Sequence, residues 1–177
     1  MINPQTLNYL SNCTDKSVTI DYKYNLLKDK YAKKEIQNGL KVLAIKVTNN
    51  SGRDLVFGKD IKLVYGNGNE ITIIETDQVF QLLKQHPASY LWYLLLTPAR
   101  FTTSSNGQQT NSIPIGYALG PGITAGNMIA ASSANDSFKK ELIKYNIIGT
   151  TIKSGDIVYS LVGINSNSFE NIKVKVL

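Results

Sequence analysis

The chain has 177 residues, a formal net charge of +6, one His and one Cys. That length suits a single domain with its own core. The composition rules out an intramolecular disulfide and leaves too few nitrogen and sulfur ligands for a zinc centre. An apolar fraction of 42% against 18% charged residues argues equally against wholesale disorder.

The early lysines, from Lys23 to Lys46, read as a solvated face, and only Arg53 and Arg100 supply guanidinium groups. Nucleic acid is therefore not an expected partner, since bidentate readout leans on arginine. The tetrapeptide Leu10-Ser11-Asn12-Cys13 has the outline of a lipoprotein cleavage site. It lacks the basic and apolar stretches that a signal peptide places before it. Cys13 is expected to be an incidental thiol.

In chain order, Val18 to Leu26 alternates apolar and polar residues, the period of a half-buried strand. Lys28 to Asn38 reads as an exposed connection. Leu40 to Thr48 is a second strand, with Leu43, Ile45 and Val47 towards the core. Asn49-Asn50-Ser51-Gly52 is turn chemistry. Leu55 to Phe57 and Ile61 to Tyr65 are short strands, and Gly66-Asn67-Gly68-Asn69 turns the chain into Ile71 to Ile74. Thr76 or Asp77 can then cap a helix carrying Val79, Phe80, Leu82 and Leu83 on one side. Thr150 to Lys153, Asp156 to Ile164 and Asn171 to Val176 return to strands.

Between the two strand-forming parts lie two apolar runs. Ala88 to Leu96 contains Tyr90, Trp92 and Tyr93 and ends at Pro98; Ile113 to Ala134 follows a polar, flexible hairpin tip, Thr102 to Ser112. No charged side chain occurs from Phe101 through Asn135. If the chain after Pro121 is helical, Gly122, Gly126, Ala130 and Ala134 share one stripe, and small residues at that spacing admit a close neighbour. The first run is far too short to span a bilayer, and prolines and glycines weaken the second. Trp92 with Tyr90 and Tyr93 suits an interface that is apolar on one side and wet on the other, or an ordinary core.

Chemistry-bearing constellations are scarce. His86 is the single histidine available as a base for a nucleophile. Asp54, Asp60, Asp77 and Asp156 are too scattered for a calcium loop. Gly116, Gly120 and Gly122 lack the Gly-Lys-Ser/Thr ending of a phosphate loop. No catalytic residue, metal ligand or cofactor is expected.

The expected fold is mainly β: an immunoglobulin-like antiparallel sandwich built from residues 14–75 and 150–177 of one domain. An apolar, glycine-rich helical hairpin over 76–149 interrupts it. Val47-Thr48-Asn49-Asn50-Ser51-Gly52, Ser89 to Pro98, Pro114-Ile115-Gly116 and the closing segment Ile152 to Ile164 carry a resemblance. Together they look like the immunoglobulin-like domains of bacterial cell-envelope, lipoprotein-like proteins of unassigned function. The resemblance implies an extracytoplasmic protein, with a lipid anchor on a precursor, and it transfers no catalytic residue. The leading expectation is a non-enzymatic domain that binds a protein or a membrane surface through Tyr90, Trp92, Tyr93, Gly122, Gly126 and Ala130. A carrier of a small apolar ligand, held between sandwich and insert, is the second reading. An enzyme using an unrecognised pair of carboxylates is the third.

Overall fold

A computed structural model describes the backbone of residues 2–86, 100–105 and 108–177, and the side chains of 2–86 and 130–177. The chain divides into two compact units, one made of 1–84 with 137–177 and the other of 85–136.

The first unit is mainly β, with antiparallel sheets. A 3-10 turn, Pro4–Thr6, precedes β1 (Ser11–Asp15) and β2 (Val18–Lys23). Helix α1 (Asp29–Gln37) leads into the long β3 (Leu40–Asn49), followed by β4 (Leu55–Val56), β5 (Ile61–Tyr65), β6 (Ile73–Ile74) and helix α2 (Thr76–Leu83). The second unit contributes β7 (Arg100–Ser105), β8 (Gln108–Pro114) and most of helix α3 (Ile115–Lys144). After α3 come β9 (Thr151–Ile152), β10 (Ile157–Asn165) and β11 (Ile172–Val176).

Five strands form one sheet in the order β1-β2-β3-β10-β6, while β11 pairs with β5 and β4 with β9. The central pair, β3 with β10, runs without a break from Ile157 opposite Thr48 to Asn165 opposite Leu40. Alternation decides what each face of β3 buries. Leu43, Ile45 and Val47 join Phe57, Leu63 and Val174 in the core shared with β5 and β11. Leu40, Val42 and Ala44 face the other way, into a second core with Val79, Leu83, Phe138 and Leu142 of the helices. The sheet is thus covered on both sides, so β3 reads as a nearly continuous apolar run.

The two segments Val47–Gly52 and Ile152–Ile164 meet at one corner. Asn49 donates its backbone N–H to the Asp156 carbonyl and accepts from the Gly155 N–H. Its buried side chain donates to the carbonyls of Arg53 and Ile152 and accepts from Ser51. Asn49 therefore satisfies a turn that would otherwise bury unpaired backbone groups.

Four expectations need correction. The stretch 28–38 is not an exposed connection but holds the helix Asp29–Gln37: Glu35 is buried and Tyr31 packs on Phe138 with ring centroids 4.9 Å apart, while Ile36 stays 71% exposed. Only Tyr31, Ala32 and Ile36 of the helix are apolar, so its charged composition resembles that of a solvated loop. The strand from Val18 ends at Lys23, two residues before Asn25 turns to φ 58°. Ile71 does not join Ile73–Ile74 in one strand, because its N–H bonds Leu63 of β5 whereas Ile73–Ile74 pair with β10. Finally, neither Thr76 nor Asp77 caps α2; Glu75 takes the capping position without a side-chain hydrogen bond.

Candidate interaction surface

Of the expected surface, Tyr90, Trp92 and Tyr93 lie outside the described residues, as does the whole run Ala88 to Leu96. Gly122, Gly126 and Ala130 all fall on α3, which starts at Ile115 and passes through Pro121 rather than beginning after it. Ala130 is exposed, whereas Ala131 beside it is buried. The polar stretch Thr102 to Ser112 lies in the β7–β8 hairpin, whose register shifts between Thr103 and Ser104.

The second unit has a distinctive charge pattern. Of the chain's 19 Lys and Arg, Arg100 alone lies within 85–136, and of its 13 Asp and Glu, Asp136 alone does. An almost uncharged unit of this length has little means of repelling apolar surfaces.

Its two ends are joined by one side chain. Asn135 accepts the Gln85 N–H on Oδ1 and donates Nδ2–H to the Gln85 carbonyl, both at 2.8 Å. This pair of bonds imitates a strand partner, and Asn135 is buried, so water does not compete freely for them. Within the first unit, the last carbonyls of α2 are capped as well. Asn38 Nδ2 donates to the Leu82 carbonyl at 3.1 Å and Lys34 Nζ to the Lys84 carbonyl at 2.6 Å. Partial burial, then the nearby positive charge of Lys84, lowers the Lys34 ammonium from its ordinary value. Neither Asn135 nor Lys34 stood out in the sequence, because a polar residue on a helix carries no periodic signal.

Elsewhere the first unit holds a groove of about 340 Å³ with Phe57, Leu63 and Ile71 in its floor. Lys62 and Glu70, which form a 2.7 Å ion pair, also line it. Two carboxylates are buried under the helices. Glu35 Oε1 accepts the Val42 N–H at 2.6 Å, and Glu141 Oε2 accepts the Ile2 N–H at 2.9 Å. Glu141 Oε1 is buried without a hydrogen-bond partner. Burial raises the Glu35 carboxyl above the ordinary carboxylate range, against the opposing pull of the Val42 N–H and Lys41. It also raises the phenols of Tyr9 and Tyr24.

Among the described residues no three or more His, Cys, Asp or Glu side chains converge to hold a metal ion. Among them, too, no helix is long and apolar enough to cross a membrane. No protein-family model, no curated protein and no solved structure matches the chain.

Proposed function

We propose that the chain is a non-enzymatic binding domain of the cell envelope, which engages an apolar protein or membrane surface through the unit 85–136. The sheets of residues 14–75 and 150–177 are read as an immunoglobulin-like sandwich that carries this unit. The observation that carries the reading is the charge segregation: 52 consecutive residues hold one Arg and one carboxylate, while all other fixed charges lie in the first unit. Supporting it, Asn135 ties entry and exit together, so the unit is a discrete excursion rather than a slack loop. The meeting of the segments around Asn49 and Asp156 supports the sandwich reading.

The test uses the full chain. Wild type is expected to pellet with neutral phosphatidylcholine vesicles, or to self-associate reversibly in sedimentation equilibrium. Trp92→Asp is expected to weaken whichever occurs, since a charge at an apolar interface is costly to desolvate. Wild type that stays monomeric and free of vesicles, or Trp92→Asp that behaves as wild type, overturns the reading. Cell fractionation checks the compartment, with the envelope fraction as the expected location.

A further inference from the structure

The helices that cover the outer face of the five-stranded sheet form a contiguous layer within the first unit. Tyr31 of α1 packs on Phe138 of α3, and Lys139 Nζ of α3 lies 5.3 Å from the Phe80 ring centroid of α2. The layer's solvent side is basic. Lys30 and Lys33 of α1 and Lys139, Lys140 and Lys144 of α3 are exposed, against the exposed acids Asp29 of α1, Asp77 of α2 and Asp136 of α3. Two further carboxylates, Glu35 and Glu141, are turned inwards, where each binds a backbone N–H. The exposed lysines of the three helices therefore outnumber their exposed acids, five to three.

Two large apolar side chains sit among those lysines. Ile36 on α1 is 71% exposed and Ile143 on α3 is 56% exposed. Isoleucine has no use for a polyanion such as nucleic acid, but it does for a surface with hydrocarbon beneath its phosphates. Lysines placed at head-group level, with short apolar side chains between them, are the composition of a peripheral membrane face.

We propose that this α1–α3 face docks on an anionic lipid bilayer, its lysines against the head groups and Ile36 and Ile143 against the interface. The lysines and isoleucines of this face all lie outside residues 85–136, so the proposal extends the membrane reading of that unit without depending on it. The two are also separable by experiment, because an uncharged unit is indifferent to lipid charge and salt while a lysine face is not.

The measurement is co-sedimentation of the full chain with phosphatidylcholine vesicles, with and without phosphatidylserine. Phosphatidylserine should strengthen binding, and added salt should abolish that gain. The triple variant Lys139→Gln, Lys140→Gln, Lys144→Gln should bind the anionic vesicles roughly a hundredfold more weakly. Lys153→Gln, Lys173→Gln, Lys175→Gln removes the same charge; Lys173 and Lys175 lie on β11, across the sheet from the helices, and this triple should bind nearly as wild type. Circular dichroism melts confirm that both are folded. Equal losses from the two triples would mean that net charge alone drives binding, and the proposal falls. No gain from phosphatidylserine, or an unaffected first triple, overturns it as well. Trp92→Asp that leaves the phosphatidylserine gain intact is expected here, whatever becomes of neutral-vesicle binding.

Discussion

The Val174 N–H donates a 3.0 Å hydrogen bond to Cys13 Sγ, joining the edge strand of one sheet to the edge strand of the other. It is one of three such bonds. Ile172 N–H donates to Tyr22 Oη at 3.2 Å and Val176 N–H to Asp15 Oδ2 at 2.8 Å. Every second N–H of β11 is therefore satisfied by a side chain from β1 or β2, and Lys16 Nζ adds a bond to the Val176 carbonyl. An open strand edge is a liability for unwanted pairing, and this seam closes it. Cys13 is a structural acceptor rather than an incidental thiol.

Cys13→Ala is accordingly expected to destabilise the protein by about 1–2 kcal/mol, because it leaves the Val174 N–H without its acceptor. Cys13→Ser, which retains an acceptor, should cost less. Urea denaturation of the two variants checks the order. Burial raises the thiol above its ordinary value, so labelling by iodoacetamide at neutral pH should be slow and should accelerate in alkali. Equal stability of Cys13→Ala and wild type would show that the seam does not depend on this bond.

Much of the strand framework is legible in the sequence because burial there follows alternation. Val18–Lys23 and Ile172–Val176 bury apolar side chains at the positions that period 2 assigns. What escapes is structure held by polar groups. Ser11–Asp15 contains no apolar residue except Cys13, and its side chains serve as hydrogen-bond acceptors for another strand. Helix α1 is held by a carboxylate that reaches Val42, whose N–H lies beyond the end of β2. The neck of the uncharged unit rests on Asn135, whose importance depends on where Gln85 arrives in space.

Glu35 offers a pH test. Its folded carboxyl binds a proton more tightly than the unfolded one, since burial raises it. Its contribution to stability is therefore fully present below the unfolded value of about 4.3 and is lost as pH rises through the raised folded value. Glu35→Gln keeps an oxygen acceptor for Val42 and removes the titration. The stability of wild type relative to Glu35→Gln should fall as pH rises from about 4 through the raised folded value. Urea midpoints of both proteins across that range provide the measurement, and parallel curves would contradict the assignment.

Gly163 permits α2 to lie directly on β10. A Cβ at this position would overlap Cγ2 of Val79, a buried, β-branched side chain. Gly163→Ala should cost about 1–3 kcal/mol by overpacking. Gly163→Ala combined with Val79→Ala should cost less than the sum of the two single changes, because the second makes space for the first. A double-mutant cycle read by thermal or urea unfolding measures this coupling. Additive costs would mean that the sheet and helix shift apart instead.

Asn135 allows the neck of the uncharged unit to be tested apart from the fold that carries it. Asn135→Asp preserves the acceptor for the Gln85 N–H but loses the donor to the Gln85 carbonyl, and it places a carboxylate beside that carbonyl oxygen. Both changes oppose the native pairing in a buried site, where an unmet acceptor costs about 1–3 kcal/mol. The loss should be local, because Gln85 and Asn135 both belong to the unit 85–136. Limited proteolysis should therefore cut Asn135→Asp faster within 85–136, and deuterium uptake should rise at Gln85, while exchange in β3 and β10 stays as in wild type. Asn135→Ala should show the same pattern in weaker form, since it introduces no repulsion. If Asn135→Asp instead speeds exchange throughout β3 and β10, the pairing is part of the main core. If neither variant changes the cleavage pattern, the two bonds do not hold the neck.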